Sequence, residues 1–183
     1  MKRQIPNILS VLRLIMIPVF VILYFNYREI PGAFFAAGIY ILAWATDVLD
    51  GYLARRNGWI TEAGKILDPL ADKLMQLTVA ICFTVDNIIF LALLIPTVIK
   101  EIAMLIGAYI VIKKQKHVEP SHWYGKAASV ILFLCSLTRI IVRGNFTLDV
   151  VLCCIMVSVM LAALTLYYFK DFRGKFFGKQ QNP

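Results

Sequence analysis

Cysteine and histidine are scarce, and neither is arranged for a disulfide framework or a zinc site. The two histidines, His117 and His122, lack metal-ligand spacing. The chain shows no soluble insert, internal repeat or low-complexity tract, which favours a single domain over residues 1–183. The four cysteines lie in apolar runs and form no CxxC pair, so we expect them to face the core or lipid. They are Cys82, Cys135, Cys153 and Cys154.

Apolar sequence, by contrast, is abundant. Hydrophobic residues make up 60% of the chain and the mean hydropathy is +0.75, whereas soluble domains average about 45–50% apolar residues. A membrane-spanning helix needs about 20 residues. The first apolar run is too long for a signal peptide, contains Arg13 and Pro18, and lacks a small-residue cleavage site, so we expect a retained helix. The sequence predicts an all-α integral membrane bundle with six transmembrane helices, at residues 5–26, 32–54, 66–85, 88–112, 127–142 and 146–169.

Lysine and arginine are distributed unevenly over the predicted loops. With six spans, both termini and the 55–65 and 113–126 loops share one side of the membrane. That side holds thirteen basic residues, and the other holds only Arg28 and Arg143. Because cytoplasmic loops carry the excess of basic residues, both termini are expected in the cytoplasm of a bacterial-type plasma membrane. The scattered charges favour membrane lipids over nucleic acid as partners. The thirteen are Lys2, Arg3, Arg55, Arg56, Lys65, Lys113, Lys114, Lys116, Lys126, Lys170, Arg173, Lys175 and Lys179.

Four aspartates lie near the cytoplasmic ends of the second and third predicted helices. Asp47 and Asp50 are three residues apart, and Asp68 and Asp72 are four apart, so each pair shares one helix face. Helix two runs towards the cytoplasm and helix three returns from it, which places both pairs at a similar depth. We therefore expect the two acidic faces to meet across one helix–helix contact.

Clustered carboxylates near lipid need a compensating charge. Each costs about 2.5–3.5 kcal/mol within the membrane, even on lenient insertion scales. Hard divalent ions such as Mg²⁺ prefer oxygen ligands and commonly bind phosphates too. Two such ions about 3.5–4 Å apart form a site suited to phosphoryl transfer. Small residues beside the aspartates, including Gly51, Ala54 and Gly64, allow a close approach. The cluster thus predicts a metal site and a phosphorylated substrate.

The stretch DVLDGYLARRNGWITEAGKILDPLAD, residues 47–72, fits the pattern D-x2-D-G-x2-A-R-x8-G-x3-D-x3-D at all eight fixed positions. It resembles the CDP-alcohol phosphotransferases, a family of six-helix membrane enzymes that are expected to be homodimers. The resemblance implies that Asp47, Asp50, Asp68 and Asp72 hold two Mg²⁺ or Mn²⁺ ions. Asp72 would also be the catalytic general base. The cytidine-diphosphate site would be formed by Asn7, Gly51, Ala54, Arg55 and Gly64.

The resemblance leaves two acceptors open for the phosphatidyl group of CDP-diacylglycerol. The start IPNILSVLRLIMIP and the segment KEIAM resemble phosphatidylglycerophosphate synthases, which implies glycerol 3-phosphate. Lys126 and Lys100 are then the candidates to bind its phosphate. Helix five reads GKAASVILF and lacks the second lysine, threonine and glutamine usual in those synthases. This segment is more similar to cardiolipin synthases, which use phosphatidylglycerol.

A transporter would also bury charged residues. Transporters, however, often place their sites near the midplane, between repeats and broken helices. The aspartates here concentrate at one interface and no repeat is visible. The sequence therefore favours an enzyme.

Overall fold

The chain forms α-helices almost throughout the part that the structure, a computed structural model, describes. It describes the backbone of residues 5–26, 32–57, 64–113 and 123–177, and side-chain surroundings for 9–26, 32–49, 70–102 and 127–166. No strand occurs in these ranges. A short 3₁₀ helix, Ile88–Phe90, precedes the fourth α-helix. The six helices are α1 (Ile5–Asn26), α2 (Ala33–Asn57), α3 (Gly64–Asp86), α4 (Leu91–Lys113), α5 (Trp123–Ile141) and α6 (Phe146–Phe177).

The prediction of six helices is confirmed for the described residues, but several predicted ends are wrong. The structure extends α2 to Asn57, starts α5 at Trp123 and extends α6 to Phe177, where the sequence predicted 54, 127 and 169. The predicted ends followed the apolar runs. Helical hydrogen bonding continues through polar residues as long as no proline or cap stops it.

The buried face of α2 is made largely of small side chains. Ala33, Ala36, Ala37 and Ala43 are buried at helical spacing, with Tyr40 among them. Small residues let helix backbones approach closely, which is how helices associate where lipid provides no hydrophobic driving force. This face allows α2 to pack against α1 and α5.

An aromatic cluster links α1 to α3 and to the turn before α4. Phe20, Tyr24, Phe83 and Phe90 are all fully buried. The ring centroids of Tyr24 and Phe83 are 6.2 Å apart, and those of Phe83 and Phe90 are 5.2 Å apart. These distances lie in the favourable range for aromatic pairs. The cluster anchors the C-terminal halves of α1 and α3 to each other.

The outside of the bundle is apolar. Ile22, Phe35, Val85, Ile88 and Ile99 are among many large apolar residues left exposed, Ile88 by 72%. Soluble monomers rarely expose large continuous apolar patches. By length and composition, two helices in the described ranges can cross a membrane, Leu9–Asn26 and Phe146–Leu166. Two shorter apolar helices, Ala33–Leu49 and Ala127–Ile141, accompany them.

A buried polar network joins the ends of four helices. Arg139 of α5 forms ion pairs with Asp149 of α6 and, at 3.7 Å, with Asp86 of α3. Asn87 donates to Asp149 at 2.9 Å, and the Tyr24 hydroxyl of α1 donates to Asp86 at 2.7 Å. The C-terminal ends of α1, α3 and α5 therefore meet the start of α6. This arrangement is that of antiparallel neighbouring helices joined by short turns.

The turn between α5 and α6 depends on one glycine. Gly144 has φ of +80°, in the left-handed region that favours glycine. Beside it, the Arg143 guanidinium lies 3.6 Å from the Tyr24 ring centroid and donates to the Tyr24 carbonyl oxygen at 2.7 Å. The chain therefore turns at Gly144, directly after Arg143, which contacts Tyr24 of α1.

Replacing Gly144 by alanine should destabilise the protein by about 1–2 kcal/mol, the cost of a left-handed L-residue. An added Cβ meets no atom within 4 Å, so this backbone cost is the main effect. The matched control is Gly38→Ala in α2, where a Cβ also meets nothing and alanine should stabilise the helix by up to about 1 kcal/mol. Unfolding in detergent would measure both. Equal shifts for the two variants would contradict the assignment.

Replacing Arg139 by methionine should destabilise the fold by about 3–5 kcal/mol, because it leaves buried carboxylates without their cation. Asp149 and Asp86 are its partners. Thr147→Ala, at an exposed position in the first turn of α6, is the control and should change stability by less than about 0.5 kcal/mol. Thermal unfolding in detergent measures both variants, and a methionine variant as stable as the control would refute this role.

Candidate metal and substrate site

The first predicted site residue that the structure describes, Asp47, lies beside a buried arginine. Arg13 of α1 has a side chain only 1% exposed, and its Nη1 lies 2.9 Å from Oδ1 of Asp47. The Asp47 side chain, on α2, is 40% exposed. The ion pair therefore joins a cation inside the bundle to a carboxylate at its edge.

The second described carboxylate, Asp72, lies on α3 in the same charged region. Gln76, one turn later on α3, donates from Nε2 to Oδ2 of Asp72 at 3.2 Å. The charges of Asp47, Arg13 and Lys100 all act on the Asp72 carboxylate. Helices α1 to α4 thus each contribute at least one charged side chain to this region.

Lys100, a predicted phosphate-binding residue, forms an ion pair within the bundle. Its Nζ lies 2.8 Å from Glu101, and Lys73 Nζ of α3 lies 2.9 Å from the other Glu101 oxygen. Glu101 thereby holds two partly exposed lysines at the α3–α4 interface. This trio carries one more positive charge than negative, close to Asp72.

The eight other predicted site residues lie in helical segments whose side chains fall outside the described part. The predicted set of four metal ligands is therefore described only for Asp47 and Asp72. Within the described residues no group of three or more metal-ligating side chains occurs. The two described carboxylates offer the hard oxygen donors that Mg²⁺ and Mn²⁺ prefer. The residues outside are Asn7, Asp50, Gly51, Ala54, Arg55, Gly64, Asp68 and Lys126.

Helices α2 and α3 come together through α1. Extensive interfaces join α1 to α2 and α1 to α3, and among the described residues none of that extent joins α2 directly to α3. The sequence predicted a direct contact between the acidic faces of α2 and α3, around residues 50–69, whose side chains lie outside the described part. In the structure Arg13 of α1 is paired with Asp47, and its charge also acts on Asp72.

Sequence reasoning did not identify Arg13 and Glu101 as parts of this region. A signal was present for Arg13, because an arginine within an apolar helix nearly always faces a partner or a polar cavity. Its partner could not be read from the sequence, since Arg13 and Asp47 lie on different helices. Glu101 entered the sequence analysis only as part of the KEIAM segment, without a role of its own.

A cavity lined by described residues lies at the other end of the bundle. It has a volume of about 330 Å³ and is lined mainly by the network of Asp86, Asn87, Arg139 and Asp149, with the 143–146 turn. Its carboxylates are already paired with Arg139. This cavity therefore belongs to the structural network and not to the site at Asp47 and Asp72.

A chain whose described residues are almost all helical, with an apolar exterior and carboxylates in one charged region, has the character of a membrane protein with a polar site. Residues 3–169 match the family model for CDP-alcohol phosphatidyltransferase. Because this range covers most of the chain, the chain belongs to the CDP-alcohol phosphatidyltransferase family.

Curated relatives point to one member class. The chain is 42% identical over 110 residues to a CDP-diacylglycerol--glycerol-3-phosphate 3-phosphatidyltransferase of Pseudomonas fluorescens, covering 60% of this chain and 52% of that protein. A protein of the same name from Aquifex aeolicus is 35% identical over 142 residues, with 74% of each chain covered. One from Haemophilus influenzae is 45% identical over 75 residues, or 41% and 40% of the two chains. The chain thus matches about half the length, or less, of several of these relatives. The predicted likeness to phosphatidylglycerophosphate synthases is confirmed.

Proposed function

We propose that this chain is a metal-dependent phosphatidyltransferase that moves the phosphatidyl group of CDP-diacylglycerol to glycerol 3-phosphate and releases CMP. The observation that carries the proposal is the convergence of Asp47 and Asp72, from separate helices, with Arg13 and Lys100. Carboxylates and cations in one region suit a metal-bound pyrophosphate and an anionic acceptor. Family membership and the names of the relatives support the same reaction.

The proposed metal ligands are Asp47, Asp50, Asp68 and Asp72. The described pair fits divalent ions because both members are carboxylates and their charges act on one another. Two Mg²⁺ or Mn²⁺ ions bound there would neutralise the pyrophosphate and stabilise CMP as a leaving group. The location of the four aspartates at the cytoplasmic ends of the second and third spans is a prediction from the sequence.

The protein's own groups would orient the donor and accept the proton. Asp72 takes the proton from the acceptor hydroxyl, whose oxygen forms a bond to the phosphatidyl phosphorus. The bond from that phosphorus to the CMP oxygen breaks, and CMP leaves. Gln76 holds Oδ2 of Asp72 and leaves Oδ1 for the proton. The cytidine-diphosphate moiety would lie against Asn7, Gly51, Ala54, Arg55 and Gly64.

Glycerol 3-phosphate is the acceptor that the charges favour. Its phosphate needs cations, and the Lys73–Glu101–Lys100 trio has an excess of one positive charge near Asp72. Lys100 and Lys126 are the proposed phosphate ligands. Phosphatidylglycerol, the acceptor favoured by helix five alone, has less support because the matched relatives carry glycerol-3-phosphate in their names.

The setting of the reaction is also part of the proposal. Six spans would form one domain over residues 1–183 in a bacterial-type plasma membrane, with both termini cytoplasmic and the site open to the cytoplasmic leaflet. The apolar exterior supports contact with lipid. The chain would act as a homodimer, as the family resemblance implies. This topology lets a lipid donor meet a water-soluble acceptor.

The test of the acceptor is CMP release by purified protein supplied with CDP-diacylglycerol, Mg²⁺ or Mn²⁺, and each acceptor separately. We expect release with glycerol 3-phosphate, little release with phosphatidylglycerol, and none after chelation of the metal. Activity with phosphatidylglycerol alone would reject the proposed acceptor. Activity that survives chelation would reject the metal mechanism.

Replacing Asp72 by asparagine should lower kcat by roughly 10²–10⁴-fold, the usual contribution of a general base. The measurement is kcat at saturating metal and both substrates, where a loss of metal affinity alone is overcome. Cys154→Ser, at an exposed position, is the control and should keep the wild-type rate. If saturating Mn²⁺ restores the full rate of the asparagine variant, Asp72 is a metal ligand only.

A further inference from the structure

Arg13 is a buried charge in an apolar helix. Its side chain is 1% exposed, and it lies in the middle of α1 within the stretch long enough to cross a membrane. A charged side chain in such a place is costly unless it meets an opposite charge, and it commonly marks a functional site. The structure gives it Asp47 as an ion-pair partner, at 2.9 Å.

The two members of this pair have very different exposure. Arg13 approaches Oδ1 of Asp47 from inside the bundle, whereas 40% of the Asp47 side chain stays exposed. One oxygen of the carboxylate is therefore held by the protein, and the carboxylate keeps open surface for a further ligand. This is the arrangement expected of a metal-ligating carboxylate that an outer partner orients.

We propose that Arg13 is a positioning residue that holds Asp47 through Oδ1, so that the carboxylate presents its open side to a divalent ion. The inference rests on the proposed function, because it takes Asp47 to be a metal ligand. The Arg13 charge also acts on Asp72. Arg13 thus links the acidic sides of α2 and α3 through α1, where the helices make their extensive contacts.

The direction in which metal affinity changes when the Arg13 guanidinium is removed separates this role from two others. A nearby cation repels Mn²⁺ by Coulomb's law, so a guanidinium that acted only as a charge would weaken metal binding, and its removal would tighten it. A purely structural ion pair would change stability and leave the metal affinity of the folded protein unchanged. Removal of a positioning residue weakens metal binding, which is the opposite of the result for a guanidinium that acts only as a charge.

The experiment is Mn²⁺ binding to purified protein in detergent, followed by the electron paramagnetic resonance signal of free Mn²⁺, without substrates. Arg13→Gln should weaken Mn²⁺ affinity by about 10–100-fold, as loss of an outer partner of a ligand usually does. Arg13→Lys keeps a cation and a donor, so it should weaken affinity less. Thermal unfolding of each variant shows whether it is folded, and the lysine variant decides the question if the glutamine variant is not.

The matched control is Arg139→Lys, which alters the buried arginine at the other end of the bundle and should leave Mn²⁺ affinity unchanged. Unchanged or tighter Mn²⁺ affinity in folded Arg13 variants would overturn the positioning role of Arg13 and leave the proposed metal site standing. Wild-type protein that binds no Mn²⁺ would overturn the metal site and this inference together. Wild-type protein that binds Mn²⁺ without transferring the phosphatidyl group to glycerol 3-phosphate would reject the proposed reaction and leave the Arg13 result standing.

Discussion

An apolar helical interior accepts a charge only where an opposite charge meets it, and this constraint organises the described part of the protein. Arg13 meets Asp47, and Arg139 meets Asp149 and Asp86. Each pair joins two different helices, because a charge removed from water needs a partner within the bundle. The apolar contacts hold the helices together, and the ion pairs fix which helix ends meet.

The two ends of the bundle use this constraint differently. At one end, Arg139 and its partner Asp149 are both almost completely buried, and short turns close the network. At the other, Arg13 is as deeply buried, but Asp47 remains substantially exposed. At the first end the carboxylates are already paired with Arg139, whereas the second end leaves a carboxylate within reach of an ion. A difference in exposure, rather than in residue type, separates a structural network from a candidate site.

The sequence predicted the elements better than the contacts between them. Apolar runs of membrane-spanning length defined the six helices. The grouping of Asp47 with Asp72 followed from helix periodicity and depth, and the charge of Asp47 acts on the Asp72 carboxylate. The role of α1 did not follow, because a partner for Arg13 is chosen by tertiary packing. The end of α6 was also missed, since hydropathy marks where lipid contact stops and not where helical hydrogen bonds stop.

Charge balance connects this site to its proposed chemistry. Arg13, Lys73 and Lys100 supply three positive charges, and Asp47, Asp72 and Glu101 supply three negative ones, so the described region is formally neutral. In the proposed site Asp50 and Asp68 add two further negative charges. A pyrophosphate and a phosphate entering beside them would add more, in surroundings that stabilise ions poorly. Bound divalent cations would offset the negative charge of five carboxylates and two phosphorylated substrates in one region. The proposed mechanism needs the same ions at the same place.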